Sequence, residues 1–457
     1  QACAEGQYTT AQNLPVCSTC NILPEGNVTV REDCIQRTQI VVMGDLNVTG
    51  NESMYTRIQG GGNNRHFKVA GADKLMLQLG WLNMTGGFSE HEWGGSVFFW
   101  VANNAALLRI FHCVFFGNQA MLGGGAISTR GGALDISYSI FSNNQAGHGG
   151  AVESVNGFKL RIYNVTFEMN VAEEQGGALS VLNLYSTFQV HSSKFVSNIG
   201  CRGGAIRAQN SEGQIKSSLF INNSAVAGPG GGANGGAFWL ADCVLQVQAC
   251  EIGFNLAQSV GGGFHLETSS HVTIISTQII KNTASSGGGI NDSGNQNSLN
   301  LTNTHFQFNI AHNSGGGISM SGFKGSKLHM SSCEISDNVA SSAGGGVCLK
   351  TGFYGNIQTS LFTRNRANRG GSIFMRGDSS EMSLLHLSSS MLNSNIATGG
   401  EAGGGLYVEG LTTVALRRVS IIKNYANNQQ GHQIVTYVSS KGIPSLTVVN
   451  TNFTHTS

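Results

Sequence analysis

One phase-locked pattern runs from about residue 113 to residue 424, and it leaves few folds open to this chain. Each copy reads as an apolar or aromatic residue, two residues, Asn, one residue, Ala, a short polar stretch, then two or three glycines and an apolar residue. The first copy is Phe115-Phe116-Gly117-Asn118-Gln119-Ala120, followed by Gly123 to Ile127. The repeated asparagines are Asn118, Asn144, Asn170, Asn198, Asn223, Asn255, Asn282, Asn309, Asn338, Asn365, Asn395 and Asn424. Their spacing varies from 25 to 32 residues, yet the residue two positions on is Ala in every copy except Gly200. A pattern that keeps phase through uneven lengths belongs to a unit that buries its face against its neighbours. The 457 residues therefore do not call for several independent domains.

Between these landmarks the periodicity is strand-like. Ser186-Thr-Phe-Gln-Val-His and His271-Val-Thr-Ile-Ile-Ser alternate or are β-branched. No ten-residue stretch carries a helical stripe, and a Leu-x-x-Leu-x-Leu frame is absent. The spacing predicts an all-β fold, a right-handed single-stranded parallel β-helix of about 12–15 coils, each of about 28 residues and about three strands. Successive coils would stack ~4.8 Å apart, turning equivalent residues into ladders. The Phe or Ile three residues before each Asn would point into the core. The Asn would line an internal turn as a structural amide ladder, and the Ala would fill a crowded corner. The Gly-Gly pair would permit positive φ and close approach of coils.

The two-part motif also carries a resemblance. Phe141–Asn144 with Gly149-Gly150-Ala151-Val152, Phe167–Asn170 with Gly176-Gly177-Ala178-Leu179, and Phe195–Asn198 with Gly203-Gly204-Ala205-Ile206 are the clearest copies. They resemble the repeats of chlamydial polymorphic outer-membrane proteins and related β-helices of eukaryotic microbes, over about two-thirds of the chain. The resemblance implies a right-handed parallel β-helix used in surface display and adhesion. Two departures, sequons throughout and no C-terminal membrane barrel in the sequence, point to a eukaryotic, soluble or matrix-bound relative.

The ends differ from the middle. Residues 1–34 form a cysteine-rich segment or cap, and 35–457 form the solenoid. Within it, 35–112 are degenerate first coils, 113–424 regular coils and 425–457 an incomplete last coil. Cys3-Ala-Glu-Gly-Gln-Tyr…Cys17-Ser-Thr-Cys20 resembles the tail of an ephrin-receptor-like cysteine-rich repeat. Cys-x-x-Cys is also a zinc spacing, but Cys3, Cys17, Cys20 and Cys34 fit two disulfides better in a secreted context. Cys243 with Cys250, and Cys333 with Cys348, are further disulfide candidates; Cys113 and Cys201 are expected as buried free thiols.

Composition narrows function. Charged residues are 11% of the chain and the net charge is +1, which argues against nucleic acid or an anionic membrane as partner. No apolar run reaches the ~18 residues of a spanning helix. Nine Asn-x-Ser/Thr sequons, at Asn27, Asn47, Asn51, Asn83, Asn164, Asn222, Asn291, Asn300 and Asn452, lead us to expect covalent N-glycans and an extracellular or cell-surface location. Asn222 looks cramped beside Asn223.

Catalytic and metal constellations are thin. No Asp-Asp, Asp-x-Asp or His-x-x-x-His occurs, Gly147-His148-Gly149 sits within a structural glycine turn, and Glu173-Glu174 would point to different faces of a strand. Arg376-Gly377-Asp378 is an adhesion-type tripeptide, but a three-residue match is weak. Trp81, Trp93, Trp100 and Trp239 would stack on sugars if exposed, although core or cap roles suit the early coils. The expectation is an extracellular structural or adhesive β-helix, such as a glycosylated filament or cell-surface fibril subunit. No catalytic residue, metal or cofactor is expected, and its partners would be further copies, surface or matrix proteins and glycans. The alternative is a carbohydrate-binding or polysaccharide-cleaving β-helix.

Overall fold

The computed structural model describes residues 19–454 apart from 72–73, 103, 230, 322–324, 379–380, 400–401, 428–432 and 440–441. The chain divides into two compact units, residues 1–214 with 228–231 and residues 215–227 with 232–457. Each is a parallel β-solenoid, about 14 turns in all. Among the described residues every regular element is a strand.

One coil of the first unit shows the plan. Strands Ile127–Arg130 and Ala133–Ser137 follow one another end to end across a wide sheet. Ile140–Ser142 belongs to a second sheet and Gln145–His148 to a third. Each pairs in parallel with its counterpart one coil on, matching Ile127 with Val152, Leu134 with Leu160, Phe141 with Phe167 and Gln145 with Val171. The second unit repeats the plan with Val347–Lys350, Phe353–Gln358, Leu361–Thr363 and Arg366–Ala367. A coil thus holds four strands in three sheets, one strand more than the spacing predicts. The glycine-containing turn between the first two strands does not change sheet, and in Phe238–Gln248 the two run on as one 11-residue strand. Strand pairing already includes Gly26–Thr29, which lies before the boundary at residue 35.

The core follows the repeat. Phe115, Phe141, Phe167 and Phe195 are fully buried, and their rings stack at 4.8, 5.1 and 4.7 Å. In the second unit Phe220, Ile252, Ile279, Phe306, Ile335, Phe362, Leu392 and Ile421 fill the same position, also fully buried. Shape and apolarity matter here rather than aromaticity, since burial scales with area removed from water.

The asparagines form the amide ladder. Asn144 Nδ2 donates to Phe115 O in the coil before (3.0 Å) and to Asn170 Oδ1 in the coil after (3.0 Å). Its backbone N–H also donates to Asn170 Oδ1 (3.0 Å), while its own Oδ1 accepts from Asn118 N and Nδ2. The pattern runs from Asn118 to Asn198 in the first unit and from Asn223 to Asn424 in the second. There Asn424 Nδ2 ends it on Gln433 Oε1 (2.9 Å). Each buried amide is satisfied by others of its kind, as burial requires.

The glycine pair has two separate duties. Gly149 sits at φ +57°, where a Cβ would lie 2.2 Å from Val152 O. Gly150 has no such torsion, but a Cβ there would lie 2.2 Å from Gly177 O in the next coil. The exception to the Ala rule has the same cause: at Gly200 a Cβ would meet Gly177 N at 2.8 Å.

Two substitutions test this core. Phe195→Ala is expected to cost ~3–5 kcal/mol as a large-to-small change in a packed ladder. Asn309→Ala removes the partner of Ile279 O and of Asn282 N, and is expected to cost at least the ~1–3 kcal/mol of an unsatisfied buried polar group. Urea unfolding followed by circular dichroism checks both. A midpoint unchanged from that of the parent protein would contradict the ladder's role.

Candidate functional site

The solenoid's chemistry concentrates at its corners. Where the wide sheet hands over to the second sheet, each coil places one residue at φ near +50°. In the first unit these include Tyr55 (56°), Trp81 (58°), His112 (48°), Tyr138 (48°), Asn164 (52°) and Ser192 (50°). In the second they include Ser276 (49°), Asn303 (49°), Ser332 (55°), Thr359 (49°), Ser389 (49°) and Arg418 (55°).

The residue after this corner is usually Ser, Thr or Cys, and it forms a second ladder. Ser139 Oγ donates to Ser137 O at 2.7 Å and accepts from Cys113 N at 3.0 Å; Ser360 Oγ donates to Gln358 O at 2.7 Å and accepts from Cys333 N at 3.2 Å. Residue identity conceals this ladder in the sequence, because Ser, Thr, Cys and Val alternate in it. The constant offset, two residues before the inward Phe or Ile, is the signal that marks it.

This ladder explains the cysteines. Cys113, Cys250 and Cys333 occupy its positions, with Sγ donating to Phe111 O (3.4 Å), Gln248 O (3.2 Å) and Ser331 O (3.4 Å). All six described cysteines outside the N-terminal segment are buried free thiols, so the expected Cys243–Cys250 and Cys333–Cys348 bridges do not form. Cys243 and Cys250 are separated by extended strand rising ~3.3 Å per residue, which holds them far beyond the ~7 Å Cα limit of a disulfide. Cys348 packs instead with Ala343, Phe374 and Tyr407 on the wide sheet. Burial pushes the Cys113 thiol up to about 12 and those of Cys250 and Cys348 to about 11. In the N-terminal segment Cys20 pairs with Cys34; Cys3 and Cys17 lie outside the described residues.

In the first unit the corner also carries a surface ladder of rings. Trp81 stacks on His112 (centroids 4.0 Å, planes 6° apart), and His112 on Tyr138 (4.9 Å, 5°). Tyr55 leans on Trp81 at one end, and Tyr163 and then His191 continue the row at the other. Tyr55, Trp81, His112 and Tyr138 each stand three residues before an inward-facing core residue, and that offset is the sequence signal for the row.

The sequons divide by exposure. Asn27, Asn51, Asn164, Asn222 and Asn452 are exposed, and Asn47, Asn83 and Asn300 half-buried. Asn222 is not cramped: at φ +57° it turns outward while Asn223 turns into the ladder. Asn291 is buried, with Oδ1 3.1 Å from His265 Nδ1, and is removed as a glycan site.

The remaining candidates scatter. Trp239 is buried and donates to Glu267 Oε1, Trp93 lies under the Arg130 guanidinium (4.1 Å), and Trp100 is exposed. Arg376 reaches Glu409 at 3.8 Å, and Gly377 N donates to Glu409 O, so the Arg-Gly-Asp tripeptide is tied to the wide sheet. His148 approaches Glu174 (3.6 Å) and Gln145 donates to Glu173. Glu153 is held by Ser128 and Arg130, and its burial raises its pKa. Among the described residues no group of three or more His, Cys, Asp or Glu is placed to hold a metal, and no helix is long and apolar enough to cross a membrane.

The stacked Asn and Gly-Gly corners decide the comparison with known proteins. Residues 112–130 match the Chlamydia polymorphic membrane protein (Chlamydia_PMP) repeat. That span holds the first inward Phe, the first ladder Asn and the first glycine turn, and the same architecture recurs in both units, so the chain is a parallel β-helix like that repeat family. No curated protein and no solved structure matches the chain.

One buried acid gives a pH test. Asp292 is fully buried between Leu266 and Met320, with Oδ1 accepting from Gly294 N and Asn297 Nδ2 and with Oδ2 unpartnered. Desolvation raises its pKa from 3.8 to about 7. A raised acid favours its neutral form in the fold, so stability falls as pH rises from about 4 to 7 and is flat above. Asp292→Asn is expected to stabilise the protein at pH 8, by up to a few kcal/mol on linkage grounds, and to be near neutral at pH 4. Thermal melts of both proteins across that range check it; a pH-independent difference would contradict the assignment.

Proposed function

We propose that this protein is an extracellular or cell-surface adhesive scaffold, a glycosylated β-solenoid and not an enzyme. The observation that carries the reading is where its recurrent polar residues go. All twelve repeat asparagines are buried, and their ladder bonds run to backbone and to one another, with Gln433 closing the row at Asn424. Chemistry invested in this way builds a rigid rack and leaves the outward positions free to vary. The match to a membrane-protein repeat supports display at a surface. The exposed sequons Asn27, Asn51, Asn164, Asn222 and Asn452 suit N-glycans projecting from strand ends and corners. Partners are then surface or matrix proteins, glycans or further copies of the chain, and no cofactor is required. Against the polysaccharide-cleaving alternative, the buried Glu153 is enclosed by Ser128 and Arg130, and the adjacent Glu173 and Glu174 are engaged by Gln145 and His148.

Two measurements test this. Intact mass of protein from a eukaryotic secretory host, before and after N-glycosidase, is expected to fall by several glycans, with Asn291→Gln leaving the loss unchanged. Beads coated with the chain are expected to bind cell or matrix surfaces while soluble polysaccharides incubated with it keep their length. Beads that adhere no better than albumin-coated ones, or polysaccharide shortened over time, would sink the proposal.

A further inference from the structure

The ring ladder of the first unit is not required by its fold. The same corner is Ala249, Ser276, Asn303, Ser332, Thr359, Ser389 or Arg418 in the second unit and Asn164 or Ser192 in the first, all at φ near +50°. A Tyr or Trp ring is a poor occupant of that region, where Asn, Asp and His are at home. Four consecutive coils place Tyr55, Trp81, His112 and Tyr138 there, and the strained three, Tyr55, Trp81 and Tyr138, are where function is to be sought.

The stacking says which ligand suits the row. His112 is covered on both faces by Trp81 and Tyr138, whose outer sides abut Tyr55 and Tyr163, so the row presents mainly ring edges, which carry the positive side of the quadrupole. The strands leading into the ladder add cations. Arg109 and Arg161 face outward from one row, two coils (~10 Å) apart, with Asp135 between them in register and Lys159 beside them. Among the described residues no ion pair engages Arg109, Lys159 or Arg161.

We propose that this face of the first unit binds a linear anionic polysaccharide, its sulfates or carboxylates meeting Arg109, Lys159, Arg161 and the ring edges. Neutral sugars and nucleobases both bind aromatic side chains through ring faces, and the sandwich of His112 between Trp81 and Tyr138, with Tyr55 and Tyr163 against the outer rings, leaves few faces open. The inference rests on the adhesive reading and names a ligand for it.

The test is binding of a heparin-type sulfated hexasaccharide and of polygalacturonate, with dextran and single-stranded DNA as comparisons. At least one acidic glycan is expected to bind and to weaken as salt rises. Arg109→Gln/Arg161→Gln, which copies Gln78 and Gln189 of the same row, should weaken it at least tenfold. Trp81→Ser/His112→Ser/Tyr138→Ser, which copies the serine corners elsewhere, should do the same. Melting within a few degrees of the parent shows that both variants are folded. Acidic glycans binding no better than dextran, either folded variant binding as the parent does, or DNA binding equally well would overturn the proposal. If coated beads still adhere while acidic glycans do not bind, this inference alone falls. If the parent does not adhere at all, the adhesive reading falls first.

Discussion

Each buried asparagine ties three successive coils together, and the rest of the structure depends on that tie. A coil turning away from a sheet leaves carbonyl and amide groups pointing into a dry interior, where an unmet one costs ~1–3 kcal/mol. Asn144 meets this on both sides, donating to Phe115 O behind and Asn170 Oδ1 ahead while its own oxygen accepts from Asn118. Because each amide needs the next at a fixed height, coil length can vary only in the outward turns. This is why the spacing swings between 25 and 32 residues while the Phe, Asn, Ala and Gly positions hold phase.

The same constraint sorts residues between inside and outside. The residue before each ladder Asn is forced to positive φ, and it points outward whatever it is: Met169, Phe254, Phe308 or Arg364. Several of these are exposed hydrophobics, so exposure there reflects backbone geometry rather than a choice of polar residues. Arg364 uses the position for a paired contact with Asp337 one coil away (2.8 and 2.7 Å). The outward positions thus form columns whose identity the core does not dictate. One column can become a ring ladder while its equivalent in the other unit is mostly Ser, Thr and Asn.

Cysteine shows how a ladder overrides chemistry that looks local. In the sequence, Cys333 and Cys348 invite a bridge. In the fold, Cys333 substitutes for a hydroxyl, donating to Ser331 O as Ser360 does to Gln358 O, and Cys348 joins Phe374 and Tyr407 on another sheet. Burial keeps these thiols protonated, so they act as small apolar or weakly donating side chains and not as nucleophiles.

The sequence by itself determined the coil: a parallel β-solenoid, an inward Phe or Ile, a structural Asn, and glycines for torsion and for close approach. These were legible because each rests on a contact between one coil and the next that must be made identically every time, so it repeats. What only the tertiary structure decided is everything that does not repeat by residue type. The hydroxyl ladder was hidden because Ser, Thr, Cys and Val are interchangeable there. The four-strand coil was hidden because a glycine turn reads the same whether or not the chain changes sheet. The burial of Asn291, the exposure of Asn222 and the row that joins Trp81, His112 and Tyr138 are likewise set by stacking at ~4.8 Å. That spacing makes neighbours of residues about a coil apart in sequence, and no local pattern records it.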